Sequence, residues 1–480
     1  MTPNLRRGWL SPFVHLSNNW LSLAGVVIVT TATVFWLFLL PITLRGETEN
    51  PYVGILAFLT IPAPFFGGLM LIPLGIWLKH RREGRSGIYP KDFPTPTWAN
   101  SDLRRLVYFI GATTVVNIAI ASQLTYGAVN YMDSAAFCGQ TCHTVMQPEF
   151  TAYQNSPHSR VECVKCHIGP GAGWFVKSKL SGVGQVVAVT FHTYPTPIPT
   201  PVHNLRPARE TCEACHWPQK YGEDRVRIIN KFGDDETNSL TKTVLLMKIG
   251  GGNGGIGIHG THLGPGVTIR YKATDEQRQN IPWVEYTGPG RKTLYTTSDA
   301  KPNNAEPREM DCMDCHNRPA HSYDLPDRGV DKAMTAGLIS GKLPFAKKKA
   351  VEILKANYLT RDEAAQKIPA AFAKYYQDTY PAIWSQRQAE VTASAKQVLE
   401  VWNRNIFPEM KVTWGAYPIN IGHNDFPGCF RCHDGGHNSQ DGKSITQDCN
   451  ACHNLLAMDE TNPKVLTDLG ITEAKPPESR

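Results

Sequence analysis

Three stretches in the first third of the chain carry no charged residue, and their lengths predict its first elements. One lies between Arg7 and Arg45, and within it Trp20 to Leu40 is almost continuously apolar. The second runs from Asn50 to Leu78 and the third from Leu106 to Met132, apolar over its first two thirds. Each exceeds the roughly 20 residues that a helix needs to cross a bilayer's hydrocarbon core. Three such runs in one segment predict a three-helix transmembrane anchor over residues 1–132 rather than buried helices of a soluble core. Pro62, Pro64 and Pro73 should kink the second helix, which a helix bundle tolerates. The first run is too long for a cleaved signal peptide and no small-residue site follows it, so it stays as an anchor.

The pattern then changes three times. Residues 133–218 are rich in proline, with the run Tyr194-Pro-Thr-Pro-Ile-Pro-Thr-Pro201 expected to be extended. Residues 219–311 hold short β-prone runs between glycine-rich turns, beginning at Val226, Thr243, Val267 and Trp283, which predict a small antiparallel insertion. Residues 312–480 turn helical, most clearly from Ala346 to Trp402, where Val351, Leu354 and Leu359 recur at helical spacing. The fold class is therefore a three-helix membrane anchor followed by a loop-rich exported domain with a β insertion and a helical C-terminal part. Gly252-Asn-Gly254-Gly255-Ile-Gly257 matches a dinucleotide glycine fingerprint in letters only. A β-prone run is expected to follow it, not the helix such a site requires, so it reads as a hairpin turn.

Charge fixes an orientation. Between Lys79 and Arg105 stand seven lysines and arginines against three acids, whereas the segment around Arg45, Glu47 and Glu49 is net negative. The positive-inside rule puts the N-terminus and the basic loop in the cytoplasm and everything beyond about Asp133 outside the cytoplasmic membrane. The overall charge of +7 comes with no basic stripe interleaved with aromatics in the exported part, so nucleic acid is excluded as a partner.

Cysteine usage supplies the chemistry. All 12 cysteines fall into pairs, and a histidine directly follows every pair. Five pairs are C-x-x-C-H: Cys163/Cys166-His167, Cys212/Cys215-His216, Cys312/Cys315-His316, Cys429/Cys432-His433 and Cys449/Cys452-His453. This is the c-type haem signature, in which two thiols bind the porphyrin and the imidazole binds iron. The remaining pair, Cys138-Gly-Gln-Thr-Cys142-His143, has one residue too many, which a local backbone bulge can absorb. Zinc would need two pairs on one ion and a disulfide framework would need no histidine, so neither explains the invariable order. Six covalently attached haems are expected. Haem attachment in bacteria takes place outside the cytoplasmic membrane, in agreement with the loop charges.

Each iron has a second axial position. Eight exported histidines lie outside the motifs; the distal candidates among them are His158, His203, His321, His423 and His437, with His259, His262 and His192 as further choices. Met146, three residues after His143, is a thioether candidate at the first haem that would raise its potential.

The run CHTVMQPEFTAYQNSPHSRVECVKCHIGPGAGWFVKSKLSG, from Cys142 to Gly182, resembles the opening haem pair of the NapC/NirT family of membrane-anchored multihaem cytochromes, especially three-helix members from metal-reducing bacteria. The segment PVHNLRPARETCEACHWPQK, from Pro201, is similar too, and the likeness is sharpest from Cys138 to Trp217. The resemblance implies quinol dehydrogenase activity, with menaquinol oxidised near the first haem and electrons leaving to a periplasmic cytochrome or reductase. It also implies Met146 as the counterpart of the family's methionine, His158 as a distal ligand, and Lys177 or Lys179 beside the quinol. This chain departs from smaller members by its longer first motif, its methionine one position later and its two additional helices. Whether His143 or Met146 ligates the first iron stays open.

Three other readings use the same parts. The protein could run in reverse as a quinone reductase, or serve as a haem subunit of a larger respiratory complex. A terminal multihaem reductase is disfavoured, since no C-x-x-C-K motif supplies an iron with an open distal side.

Overall fold

The computed structural model describes residues 10–33, 61–89, 108–169, 181–202, 205–217, 222–250, 257–300 and 306–471, apart from isolated positions before 184. The chain divides into two compact units, Met1–Thr141 and Cys142–Arg480, so the division falls inside the first haem motif and not at the expected 132.

Among the described residues of the first unit, one helix is long and apolar enough to cross a membrane, Pro62–Ser86, where three were expected. A shorter apolar helix spans Trp20–Thr30, and the described positions from 108 to 133 are helical. Much of the remaining predicted apolar sequence, 34–60, lies outside the described residues. Pro62 does not kink the long helix but begins it, at the first turn where a proline's missing N–H has no partner to lose. The helix also continues through Lys79, Arg81, Arg82 and Arg85, residues the charge pattern assigned to a loop. It ends where Gly87 adopts φ +67° and donates its N–H to the Glu83 carbonyl. Phe66 and Met70 stand 56% and 74% exposed on it, as lipid-facing side chains would. Gly25 and Gly68 meet backbone to backbone: a Cβ on either would come within 2.9 Å of the other's carbonyl oxygen. Close approach through small residues is how helices associate in lipid, where apolar burial gives no driving force. The Ser22 hydroxyl donates across this contact to the Ile72 carbonyl at 3.0 Å.

In the second unit, two antiparallel sheets replace the single β insertion. Strands β1 (Arg225–Phe232) and β2 (Leu240–Met247) form a hairpin, and β3 (Thr268–Lys272), β4 (Trp283–Gly288), β5 (Arg291–Thr296) and β6 (Arg308–Glu309) form the other sheet in the order β5-β4-β3-β6. The first sheet is completed by β7 (His453–Glu460), which pairs with β2 and begins at the last motif histidine. Between β2 and β3 the glycine-rich sequence 251–256 lies outside the described residues, and a six-residue helix, Ile258–Leu263, follows it in place of the strand expected there. Its two histidines, His259 and His262, stand three apart and face His316 and His433.

The helical part packs Pro326–Thr335, Ala346–Leu354, Arg361–Thr379 and Pro381–Asn405 around Val330, Leu354, Ile368, Phe372, Val398 and Trp402, all 0 or 1% exposed. Burying each such side chain stabilises the fold by about 1.5–3 kcal/mol. Thr360 caps the third of these helices, its hydroxyl accepting from the Glu363 N–H while the Glu363 carboxylate accepts from the Leu359 N–H. Leu359 itself is 72% exposed, because it lies in the turn before that cap and not on a helix face.

Candidate haem sites

The motifs are built on single helical turns. Cys163–His167, Cys312–Cys315 and Cys449–Cys452 are short α-helices, Gly428–Arg431 is a 3-10 turn, and Ala208–Cys212 runs into a turn at Glu213. Residues three and four apart share one helix face, so both thiols and the histidine emerge together. The turn is closed by the histidine N–H donating to the first cysteine's carbonyl, at 2.8 Å for His216 and His316 and 3.1 Å for His433, and His453 repeats the bond to Cys449. In the fourth motif a reciprocal cap adds to this: Asp311 accepts from the Met313 N–H, and the Asp314 carboxylate accepts from the Asp311 N–H. At the longer first motif, Phe137–Thr141 forms one turn of π-helix. A π turn holds one residue more than an α turn, which is the bulge the extra residue requires.

Each of the other five motif histidines faces a second histidine. The ring centres are 6.2 Å apart for His167 and His321, 5.9 Å for His216 and His158, and 6.3 Å for His316 and His259. They are 5.9 Å apart for His433 and His262 and 6.3 Å for His453 and His423. A metal–imidazole bond of about 2.0 Å on either side of one ion puts the two nitrogens about 4 Å apart and the ring centres about 6 Å apart. The observed spacings fit that arrangement. Among the described residues no three His, Cys, Asp or Glu side chains converge as a zinc site demands.

Several rings are held by the nitrogen that iron would not use. Nδ1 of His158 bonds the Pro319 carbonyl at 3.1 Å, that of His321 the Glu149 carbonyl at 3.0 Å, and those of His262 and His433 the Ile258 and Thr446 carbonyls at 2.7 Å. A ligand imidazole fixed in this way has its tautomer set and Nε2 left for metal. Burial lowers the pKa of His167, His259, His262, His316, His321 and His453, favouring the neutral ring that binds metal.

The motifs also follow one another in space. Burial raises the Cys166 thiol, and Cys163 and Cys215 raise it further. Cys212 is hydrogen-bonded to Cys312, which raises the former and lowers the latter to about 7. Burial pushes Cys432 up to about 12, with Cys315 and Cys429 contributing, and Cys452 is raised by burial and then by Cys429. The second to sixth motifs thus form an unbroken series.

Residues with no motif signature tie this series together. Arg318, 8% exposed, bonds both carboxylate oxygens of Glu149 at 2.9 Å and stacks over Tyr417 at 4.2 Å. The same Glu149 lies on the helix His143–Gln154 and holds His321 through its carbonyl, so the first motif's helix positions the second motif's partner ring. Asp314, 2% exposed, receives the Tyr271 hydroxyl, Arg278 and Arg308, while Arg431 of the fifth motif donates to its carbonyl at 2.6 Å. Arg431 and Asp314 are internal residues of motifs, but nothing local marks them as partners, being 117 positions apart.

Other expected site residues fall elsewhere. His437 is 1% exposed with both ring nitrogens engaged, Nδ1 by Asp434 at 2.8 Å and Nε2 by the Ile281 carbonyl at 2.6 Å, leaving none for iron. It anchors the second sheet instead of facing a motif. His192 takes φ +54° and its ring lies 6.3 Å from Tyr194; no motif histidine among the described side chains, which do not include that of His143, faces it. Met146 is half-buried on the helix His143–Gln154. Cys142, His203, Lys177, Lys179 and the side chain of His143 lie outside the described residues.

Paired cysteines on helical turns, five of them with the motif histidine opposite a second one, define a multihaem c-type cytochrome. The chain belongs to the NapC/NirT cytochrome c family, whose N-terminal region matches residues 101–199, and it is a membrane-associated electron-transport protein with covalently bound haem. It is similar to the cytochrome c-type protein ImcH of Geobacter sulfurreducens, 39% identical over 453 residues that cover 92% of this chain and 89% of the relative. No solved structure matches it.

Proposed function

We propose that this protein is a hexahaem quinol dehydrogenase, oxidising menaquinol at the membrane and delivering electrons to a periplasmic cytochrome or reductase. The observation that carries this reading is the set of five histidine pairs at 5.9–6.3 Å, each joining a motif to a ring from elsewhere in the chain. The distal ligands are then His321, His158, His259, His262 and His423 for the second to sixth haems, with Met146 or a further histidine left for the first. When bound, the haems supply one-electron carriage.

The residues' part would be to close both faces of the second to sixth irons, so that no substrate reaches them, and to hold the sites in sequence. This favours an electron conduit over a terminal reductase. Three apolar spans anchor the chain, with the N-terminus cytoplasmic and the haem part periplasmic. Lys177 or Lys179 lies beside the quinol and binds its oxygen. Reverse flow as a quinone reductase and membership of a larger respiratory complex use the same parts.

The test is reduction of the purified, detergent-held protein by a reduced menaquinone analogue. Reduction of the haems is expected, with intact mass showing six porphyrins. Haems that stay oxidised while dithionite reduces them would overturn the quinol reading.

A further inference from the structure

His423 sits in a closed loop whose geometry is set by two glycines. The Cys429 N–H donates to the Gly422 carbonyl at 2.9 Å, and Gly428, at φ +51°, has its Cα so close to that carbonyl that a Cβ would collide with it. Asn420, 4% exposed, fixes the start of the loop through the Asn317 side chain at 2.9 Å and the Asp314 carbonyl at 3.1 Å. The closure brings His423 against Phe430, the residue after Cys429. The two rings stack with centres 4.2 Å apart and planes 16° from parallel.

This pair is held differently from those of the second, third and fifth haems. There, at least one imidazole is fixed by an Nδ1 bond to a carbonyl. Here His453 has a buried Nδ1 with no hydrogen-bond partner, and its place is fixed by β7 pairing with Met247 of β2. The His423 ring forms no hydrogen bond among the described residues; what bears on it is the Phe430 face. An imidazole without an Nδ1 bond is free to turn about its own axis, and a parallel aromatic ring removes that freedom.

We infer that Phe430 is a positioning residue for the sixth haem, fixing the plane of His423 at 27° to that of His453 by stacking where the second, third and fifth sites use a hydrogen bond. Phe430 lies between Cys429 and Cys432, the tethers of the fifth haem. The chain segment that tethers one haem therefore orients a ligand of the next. The inference rests on the proposed assignment of His423 and His453 to the sixth iron.

The experiment compares the full-length holoprotein with its Phe430→Ala, Phe430→Tyr and His423→Ala variants, reading intact mass, low-spin electron paramagnetic resonance and carbon monoxide binding to the reduced protein. Phe430→Ala should keep every porphyrin, shift one low-spin component and bind carbon monoxide at up to one haem equivalent. Phe430→Tyr, which keeps the stack, should match the parent. A Phe430→Ala protein with unchanged resonance and no carbon monoxide binding overturns the positioning role if His423→Ala does bind carbon monoxide. If His423→Ala also fails to bind it, the ligand assignment itself falls. Loss of a porphyrin from Phe430→Ala also overturns the role, since the side chain would then serve attachment of the fifth haem.

Discussion

His262 and His433 face one another at 5.9 Å with both Nδ1 atoms already committed, to the carbonyls of Ile258 and Thr446 at 2.7 Å each. Each ring therefore presents Nε2 inward, and the pair is prepared to bind one ion on two sides. The partner of His316, His259, stands on the same short helix one turn back. A single six-residue helix thus serves two consecutive sites.

Replacing His262 by alanine should open one iron and leave the other histidine-paired sites closed. The expected result is one carbon monoxide-binding haem equivalent, all porphyrins still attached, and no change at the fourth site. His259→Ala should open a different haem, and the double variant should open two. Spectra of the reduced proteins check this, and equal spectra for the two single variants would be the contrary outcome.

Arg318→Met should destabilise the second unit. The variant leaves the half-buried Glu149 carboxylate without its cation, which should cost up to about 3–5 kcal/mol, the figure for breaking a fully buried pair. Adding Glu149→Gln should recover much of that loss, since no charge then remains unpaired. Denaturant titration of the two variants against the parent measures the loss and the recovery.

Phe372→Ala separates the helical core from the haem sites. The ring is 0% exposed among Ile368, Tyr376 and the facing helices, and its removal should cost about 3–5 kcal/mol through lost burial and the cavity left behind. Below the unfolding transition its visible spectrum should match the parent's.

Acid should loosen the β1–β2 turn late. The Thr237 hydroxyl, with the Ser239 and Thr237 main-chain N–H groups, holds the Asp235 carboxyl at about 2 against an ordinary 3.8. A carboxyl whose pKa is depressed on folding stabilises the fold above its unfolded pKa and loses that contribution as pH falls through the folded value. The stability difference between the parent and Asp235→Ala should be constant above about pH 4 and vanish as the pH drops through about 2. Stability measured from pH 2 to 6 tests this.

The local parts of this architecture were legible in the sequence because they are local. A C-x-x-C-H motif is one helical turn, and its hydrogen bond from histidine to cysteine lies within five residues. The extra residue at Cys138 could be read as a bulge for the same reason. The strands starting near Val226, Thr243, Val267 and Trp283 carry their own β propensity and form where expected. What could not be read is pairing over distance. His167 meets His321 and His216 meets His158 through folding of the whole second unit, and no periodicity links those positions. His437 has the same neighbourhood in sequence as His433, yet its second nitrogen is taken by Ile281, 156 residues away. Strand β7 was hidden because its first residue belongs to a haem motif. Leu359 kept the helical spacing of Val351 and Leu354, but the Thr360 cap, which begins a new helix, rotates it out to water.

Strand β7 also bears on the order of biogenesis. The hairpin of β1 and β2 leaves the ribosome long before the segment that shields its open edge, since Thr243 and its neighbour Asp459 are 216 residues apart. Until then β2 offers unpaired N–H and C=O groups to any passing extended peptide. A chain ending ahead of Cys449 would lack its last C-x-x-C-H motif and leave that edge bare at once, since motif and covering strand are one continuous segment.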